Sequence, residues 1–173
     1  MGLFGKLFDK KTCDICGGEI GLLGNKKLED GNCCKECAGK LSPWFNERRH
    51  STVADIKAQI DYREENRNTV AKFHTTRSFG EDMNVLLDED QQLFMVTRAR
   101  NLTEANPDVL SFSQVTGCDL DISENRTEEM REIRDKDGNT KRVSYNPPHY
   151  VYRYDFYIII RVNHPYFDEM KFK

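Results

Sequence analysis

The sequence predicts an α+β protein with three parts: a small cysteine-bound finger, a connecting helix and an antiparallel β domain. Three observations carry this. Five of the six cysteines fall within the first 37 residues. A helix-start signature stands at Thr52. From about residue 69 onward the apolar residues alternate with polar ones, as in strands. The expected boundaries are 1–50 for the finger with its short tail, 51–68 for the helix and 69–173 for the β domain.

The 173 residues are 38% hydrophobic and 32% charged, enough apolar material for a core and too much for wholesale disorder. Twenty-six Lys and Arg against 29 Asp and Glu give a net charge of −3, which argues against a globally basic nucleic-acid binder. No apolar run approaches the ~20 residues of a membrane helix. No export signal is visible near Met1. A soluble protein of the cytoplasm is expected.

The cysteines form two Cys-x-x-Cys pairs, Cys13-Asp14-Ile15-Cys16 and Cys34-Lys35-Glu36-Cys37. Their spacing is that of a four-thiolate zinc site, which needs two turns that each aim two sulfurs at one ion. Gly17 and Gly18 follow the first pair, where a tight turn needs positive φ. Asn32 is the expected cap of a short helix that starts at the second pair. Between the pairs, Glu19 to Gly31 reads as a β-hairpin. Knuckle, hairpin and knuckle at a helix N-terminus describe a treble-clef finger, or a close zinc-ribbon relative. One structural Zn2+ per chain is therefore expected on Cys13, Cys16, Cys34 and Cys37.

Disulfides would need an oxidising compartment. A thioredoxin-like motif needs one pair beside a βαβ unit, not two pairs around a hairpin. Iron fits the same four thiolates electronically. A catalytic zinc would need an open position, which four thiolates do not leave. Cys33 has the wrong spacing to Cys37 for a knuckle, and Cys118 reads as a small buried apolar residue.

Residues 13–66 resemble a bacterial family of small four-cysteine zinc-finger proteins catalogued as a domain of unknown function. The resemblance is carried by Cys13 to Gly17, Ile20 to Gly31, Cys34 to Cys37, Leu41 to Phe45 and Arg48 to Thr52. It implies a metal site on Cys13, Cys16, Cys34 and Cys37 and no particular activity.

The remaining elements follow in order. Leu3, Phe4, Leu7 and Phe8 make a short amphipathic opener, a weak candidate for a membrane-surface contact. Trp44 and Phe45 are expected to cover the finger's small core, and Arg48-Arg49-His50 to form a solvated helix end. Thr52 and Asp55 fit a capping box opening a helix that runs to about Asn66. Val53, Ile56 and Ile60 give it a narrow apolar stripe, with Lys57 and Arg63 at the margins.

Strands are then expected at Lys72 to Thr76, Asn84 to Leu87 and Gln92 to Thr97, the last two joined by a turn at Asp88-Glu89-Asp90. A long run, Val109 to Ile122, has Phe112, Val115, Cys118, Leu120 and Ile122 as inward candidates, with a bulge where their phase changes. Asp135 to Asn139 is a hairpin turn between polar arms. Tyr150, Tyr152, Tyr154, Phe156, Ile158, Ile160 and Val162 share one face, read as core. Phe167 to Phe172 makes a last strand. About seven strands that curl or close resemble the pleckstrin-homology-like domains of bacterial proteins, although such domains end in a helix and this sequence stops at Lys173. A shortened chain, or a sheet completed by a partner, would account for that difference.

No recognised catalytic spacing joins His50, His74, His149 or His164 to a cysteine or carboxylate, and no phosphate loop is present. The expectation is a non-enzymatic, zinc-binding interaction or scaffold protein, with a protein partner or self-association and no small-molecule substrate. The alternatives are a nucleic-acid-binding finger using Lys26, Lys27, Arg48 and Arg49, and a membrane-surface adaptor using the N-terminal tail and the β domain. From residue 51 onward, 17 basic against 22 acidic side chains would repel phosphate.

Overall fold

The computed structural model describes residues 11–173. The amphipathic opener at Leu3 to Phe8 lies outside the described residues. Four very short strands build the finger: β1 (Lys11–Thr12) pairs with β2 (Glu19–Ile20), and β3 (Lys26–Lys27) with β4 (Asn32–Cys33). The single hairpin expected over Glu19 to Gly31 is thus divided between two ribbons. The short helix α1 (Lys35–Gly39) follows, capped by Cys34 and not by Asn32, which is in β4. The chain then makes a 3-10 turn at Glu47–His50.

Helix α2 (Val53–Lys72) opens with the expected capping box: Thr52 and Asp55 bond each other's backbone N–H. It runs past Asn66 to Lys72, so Lys72 and Phe73 close a helix and do not open a strand. Asn66 reads as a helix terminator in sequence because its amide competes for local backbone. Here that amide is occupied elsewhere, donating to Asn106 Oδ1 and Pro107 O at 2.8 Å and accepting from Val109 N at 3.1 Å. The buried face of α2 is Ile56, Gln59, Arg63, Asn66 and Val70, mostly polar and largely invisible to a hydrophobic-stripe argument.

Strands β5 (Arg77–Phe79), β6 (Asn84–Asp88), β7 (Leu93–Thr97) and β8 (Val109–Ser111) form an antiparallel sheet in that order. The short helix α3 (Leu102–Ala105) connects β7 to β8. The expected turn at Asp88 joins β6 to β7; Asp88 is buried and accepts from the His74 and Gln91 amides at 2.8 and 3.0 Å.

A 3-10 turn at Phe112–Gln114, not a bulge, interrupts the next apolar run. Beyond it, β9 (Val115–Arg134) and β10 (Thr140–Val162) make a long hairpin closed by the Asp135 to Asn139 turn. Strand β11 (Glu169–Phe172) adds to β10, giving the order β11-β10-β9. The seven strands therefore divide into sheets of four and three, and they form no closed barrel.

The two sheets meet over Phe94, Val96, Leu110, Ile160, Val162, Phe167, Met170 and Phe172. On the opposite side of the four-stranded sheet, Met95 and Val109 pack with Val70 of α2. Strand β7 is covered on both faces, which is why Leu93 to Val96 is a continuous apolar run. The finger has its own core of Cys13, Ile20, Leu28, Cys33, Cys37, Leu41 and Ile56, and Phe45 packs on it. Trp44, expected there too, packs instead on the β core against Phe172, with ring centroids 6.5 Å apart.

Most of the face read as core lies outside it. Ile160 and Val162 are buried, but Tyr150, Tyr152, Tyr154, Phe156 and Ile158 are exposed. Val115, Cys118, Leu120 and Ile122 on β9 are exposed as well, while Phe112 is partly buried. Period-two alternation tells which side chains share a face. It does not say whether a second layer covers that face, and the body of the protein ends near Ile160.

Candidate metal centre

Cys13, Cys16, Cys34 and Cys37 come together, with their four Sγ atoms all within 4.8 Å of one another. Cys16 Sγ lies 3.9 Å from Cys34 Sγ. A tetrahedron with Zn–S of about 2.3 Å has edges of about 3.8 Å, so the cluster is compatible with one metal ion among its sulfurs.

Local backbone chemistry builds each half. After Cys13, the chain turns so tightly that Gly17 N donates to Cys13 O at 2.7 Å, with Gly17 at φ +75°. Cys13 N returns to Gly18 O at 2.8 Å. In the second half Cys34 N-caps α1, its sulfur accepting from Cys37 N at 3.3 Å. The Cys34 amide in turn donates to Cys13 Sγ at 3.2 Å, tying the halves together. Asp14, inside the first pair, adds a second tie by accepting from Asn32 N at 2.7 Å. That carboxylate role carries no spacing signature.

Local hydrogen bonding favours the thiolate form of Cys13. Burial raises its pKa, but hydrogen bonds from the Cys16, Cys34 and Ile15 amides outweigh this and bring it down to about 6. Burial, followed by hydrogen bonds from the neighbouring sulfurs, pushes Cys37 well up. Four clustered thiols cannot all ionise unless a cation shares the charge, which is the chemistry of a thiolate metal site. Cys33 stays apart in the finger core, its thiol donating to Cys34 O at 3.3 Å and raised to about 11, chiefly by burial.

Gly31 allows the finger to close on α2: a Cβ there would stand 2.6 Å from Val53 Cγ2 and 2.8 Å from Asp14 Oδ2. Around the site, Arg48 is engaged through Nη1 with Lys27 O at 2.6 Å. A separate open groove lies between the sheets, lined by Phe79, Met83, Val85, Ile158 and Phe172. Lys171 and Lys173 at its rim are paired with Asp121 and Asp155.

Residues 12–59 match the family model described as a domain of unknown function (DUF4428). The matched segment contains all four clustered cysteines. No curated protein and no solved structure matches the chain. No helix among the described residues is long and apolar enough to cross a membrane.

Proposed function

We propose that the chain is a non-enzymatic zinc-binding protein in which a structural zinc holds the finger and the β region serves protein interaction. The carrying observation is the closed set of four thiols on Cys13, Cys16, Cys34 and Cys37. Soft thiolates in a tetrahedral set suit zinc, and four of them leave no position for a substrate or an activated water. Bound there, zinc would replace the core that about fifty residues cannot build.

Elemental analysis of reduced protein tests the metal. One zinc per chain is expected, falling toward zero in Cys37→Ser, with the finger unfolded and the strand signal in far-UV circular dichroism retained. Reduced wild-type protein without metal, or a Cys37→Ser variant with a native finger, would overturn the reading.

A further inference from the structure

We infer that the outer edge of β9 pairs with β9 of a second copy of this chain, antiparallel, about a two-fold axis at Asn125. The result is a continuous six-stranded sheet. This deepens the interaction reading above, and rests on it, by naming the partner.

The first observation is an edge with no partner strand among the described residues. Strand β11 pairs with β10 only from Ile158 to Arg161. From the Phe156–Ile122 pair outward the hairpin is a two-stranded ribbon, and β9 is the end strand of its sheet. Two strands alone are marginal in water, and an open row of N–H and C=O groups is a template for another strand.

The second observation is that neither proline nor a mid-strand bulge blunts this edge, and that its charges are of both signs, able to pair as well as to repel. Edge strands are usually blunted by proline, bulges or charged side chains. Strand β9 has no proline. Its register skips one residue near Val115 and then continues unbroken on the β9 side from Gly117 to Arg134. The ribbon's other irregularity, between Ser144 and His149, belongs to β10.

The third observation selects the occupant. Strand β9 is complementary to itself. Run antiparallel about Asn125, the midpoint of residues 117–133, it places Glu124 opposite Arg126 and Asp119 opposite Arg131. Leu120 then faces Met130, and Ser123 faces Thr127. Each pair occurs twice by symmetry. Leu120 and Met130 are 61% and 51% exposed in the single chain, so their contact would remove apolar surface from water. One like-charge pair arises, Asp121 with Glu129, and Ile122 faces Glu128. Within the single chain Asp121 is already paired with Lys171 Nζ at 2.6 Å and Asp119 with Arg161 Nη2 at 2.9 Å, so the Glu124–Arg126 and Leu120–Met130 pairs carry the complementarity.

The neighbouring registers are poorer. A two-fold at Arg126 sets Arg126 against itself and Glu124 against Glu128. A two-fold at Glu124 sets Glu124 against itself and Asp119 against Glu129. Like charges directly opposite are destabilising in a sheet.

The test is sedimentation equilibrium on the full, zinc-loaded chain from about 1 to about 300 µM, with zinc content recorded on the same samples. A reversible dimer is expected. Glu124→Arg alone, or Arg126→Glu alone, sets like charges together twice per dimer and should raise the dissociation constant about tenfold or more. The combined variant Glu124→Arg/Arg126→Glu restores opposite pairs and should return the constant to within about threefold of wild type. Thermal melts of each variant establish that it is folded. A zinc-loaded, folded wild-type chain that stays monomeric throughout overturns the pairing while leaving the metal reading intact. A dimer indifferent to the single charge reversals also overturns it. A zinc-free chain that still dimerises with the charge-swap behaviour supports the pairing and defeats the metal reading.

Discussion

Asp108 divides its buried carboxylate between Arg63 Nη1 at 2.7 Å and Ser42 Oγ at 2.8 Å. Arg63 also bonds the Asn106 and Lys40 carbonyls, so one buried ion pair joins the finger's exit, α2 and the loop before β8. Removing one partner from such a pair leaves a desolvated charge without compensation. Asp108→Ala should therefore cost about 3–5 kcal/mol in urea unfolding. Gln59 presents the opposite case. It is buried, and its side-chain amide has no hydrogen-bond partner among the described residues. Gln59→Met keeps the volume and removes the polar cost, so a gain of about 1 kcal/mol is expected in the same assay. At His164, the Tyr166 amide donates to Nδ1, so the neutral ring holds its proton on Nε2 and donates to Tyr62 Oη at 2.9 Å. Burial lowers the His164 pKa from its ordinary 6.5; nearby Asp108 opposes this weakly and Arg63 adds to it. The unfolded chain then binds the proton first, so this contribution is complete above about pH 6.5 and is lost as pH falls below it. His164→Gln should flatten the decline in unfolding free energy between about pH 7 and pH 5; an unchanged slope would assign it to other groups.

Among the elements, α2 and the β9–β10 ribbon behave in opposite ways. Helix α2 is a shared spine: Ile56 belongs to the finger core and Val70 packs on the four-stranded sheet. The ribbon contributes little to either core. The cluster between the sheets draws only Ile160 and Val162 from the hairpin, and everything from Leu120 to Ile158 stands outside it. Replacing residues 126–152 by a two-residue Asn-Gly turn between Asn125 and Arg153, which are paired across the ribbon, should therefore shift Tm by no more than about 3 °C. The same deletion should abolish the dimer, because it removes half of the proposed edge. A large loss of Tm would mean that the ribbon supports the body in the single chain.

At the scale of the whole molecule, two segments with separate cores are joined by α2 and by the buried Arg63–Asp108 pair. Metal removal should therefore act locally first and reach the β sheets through α2, through Trp44 and through Ser42 and Lys40, which Asp108 and Arg63 hold.

What the sequence determined by itself is local chemistry. The two Cys-x-x-Cys turns, the Thr52–Asp55 capping box, the turns at Asp88 and Asp135 and the pairing of Asn84 to Leu87 with Leu93 to Thr97 depend on residues a few positions apart. Asn66 shows where that reasoning stops: its partners lie some forty residues away, so a local terminator became a helix interior residue. Arg63, at the margin of the apolar stripe in sequence, is buried for the same reason: its partner Asp108 is distant in the chain. The aromatic face of β10 shows the other limit. Alternation placed Tyr150 to Val162 on one side, but only the packing of the two sheets decided that burial stops at Ile160. Whether an apolar face is core or surface depends on a second layer, and that layer is a property of the assembled chain.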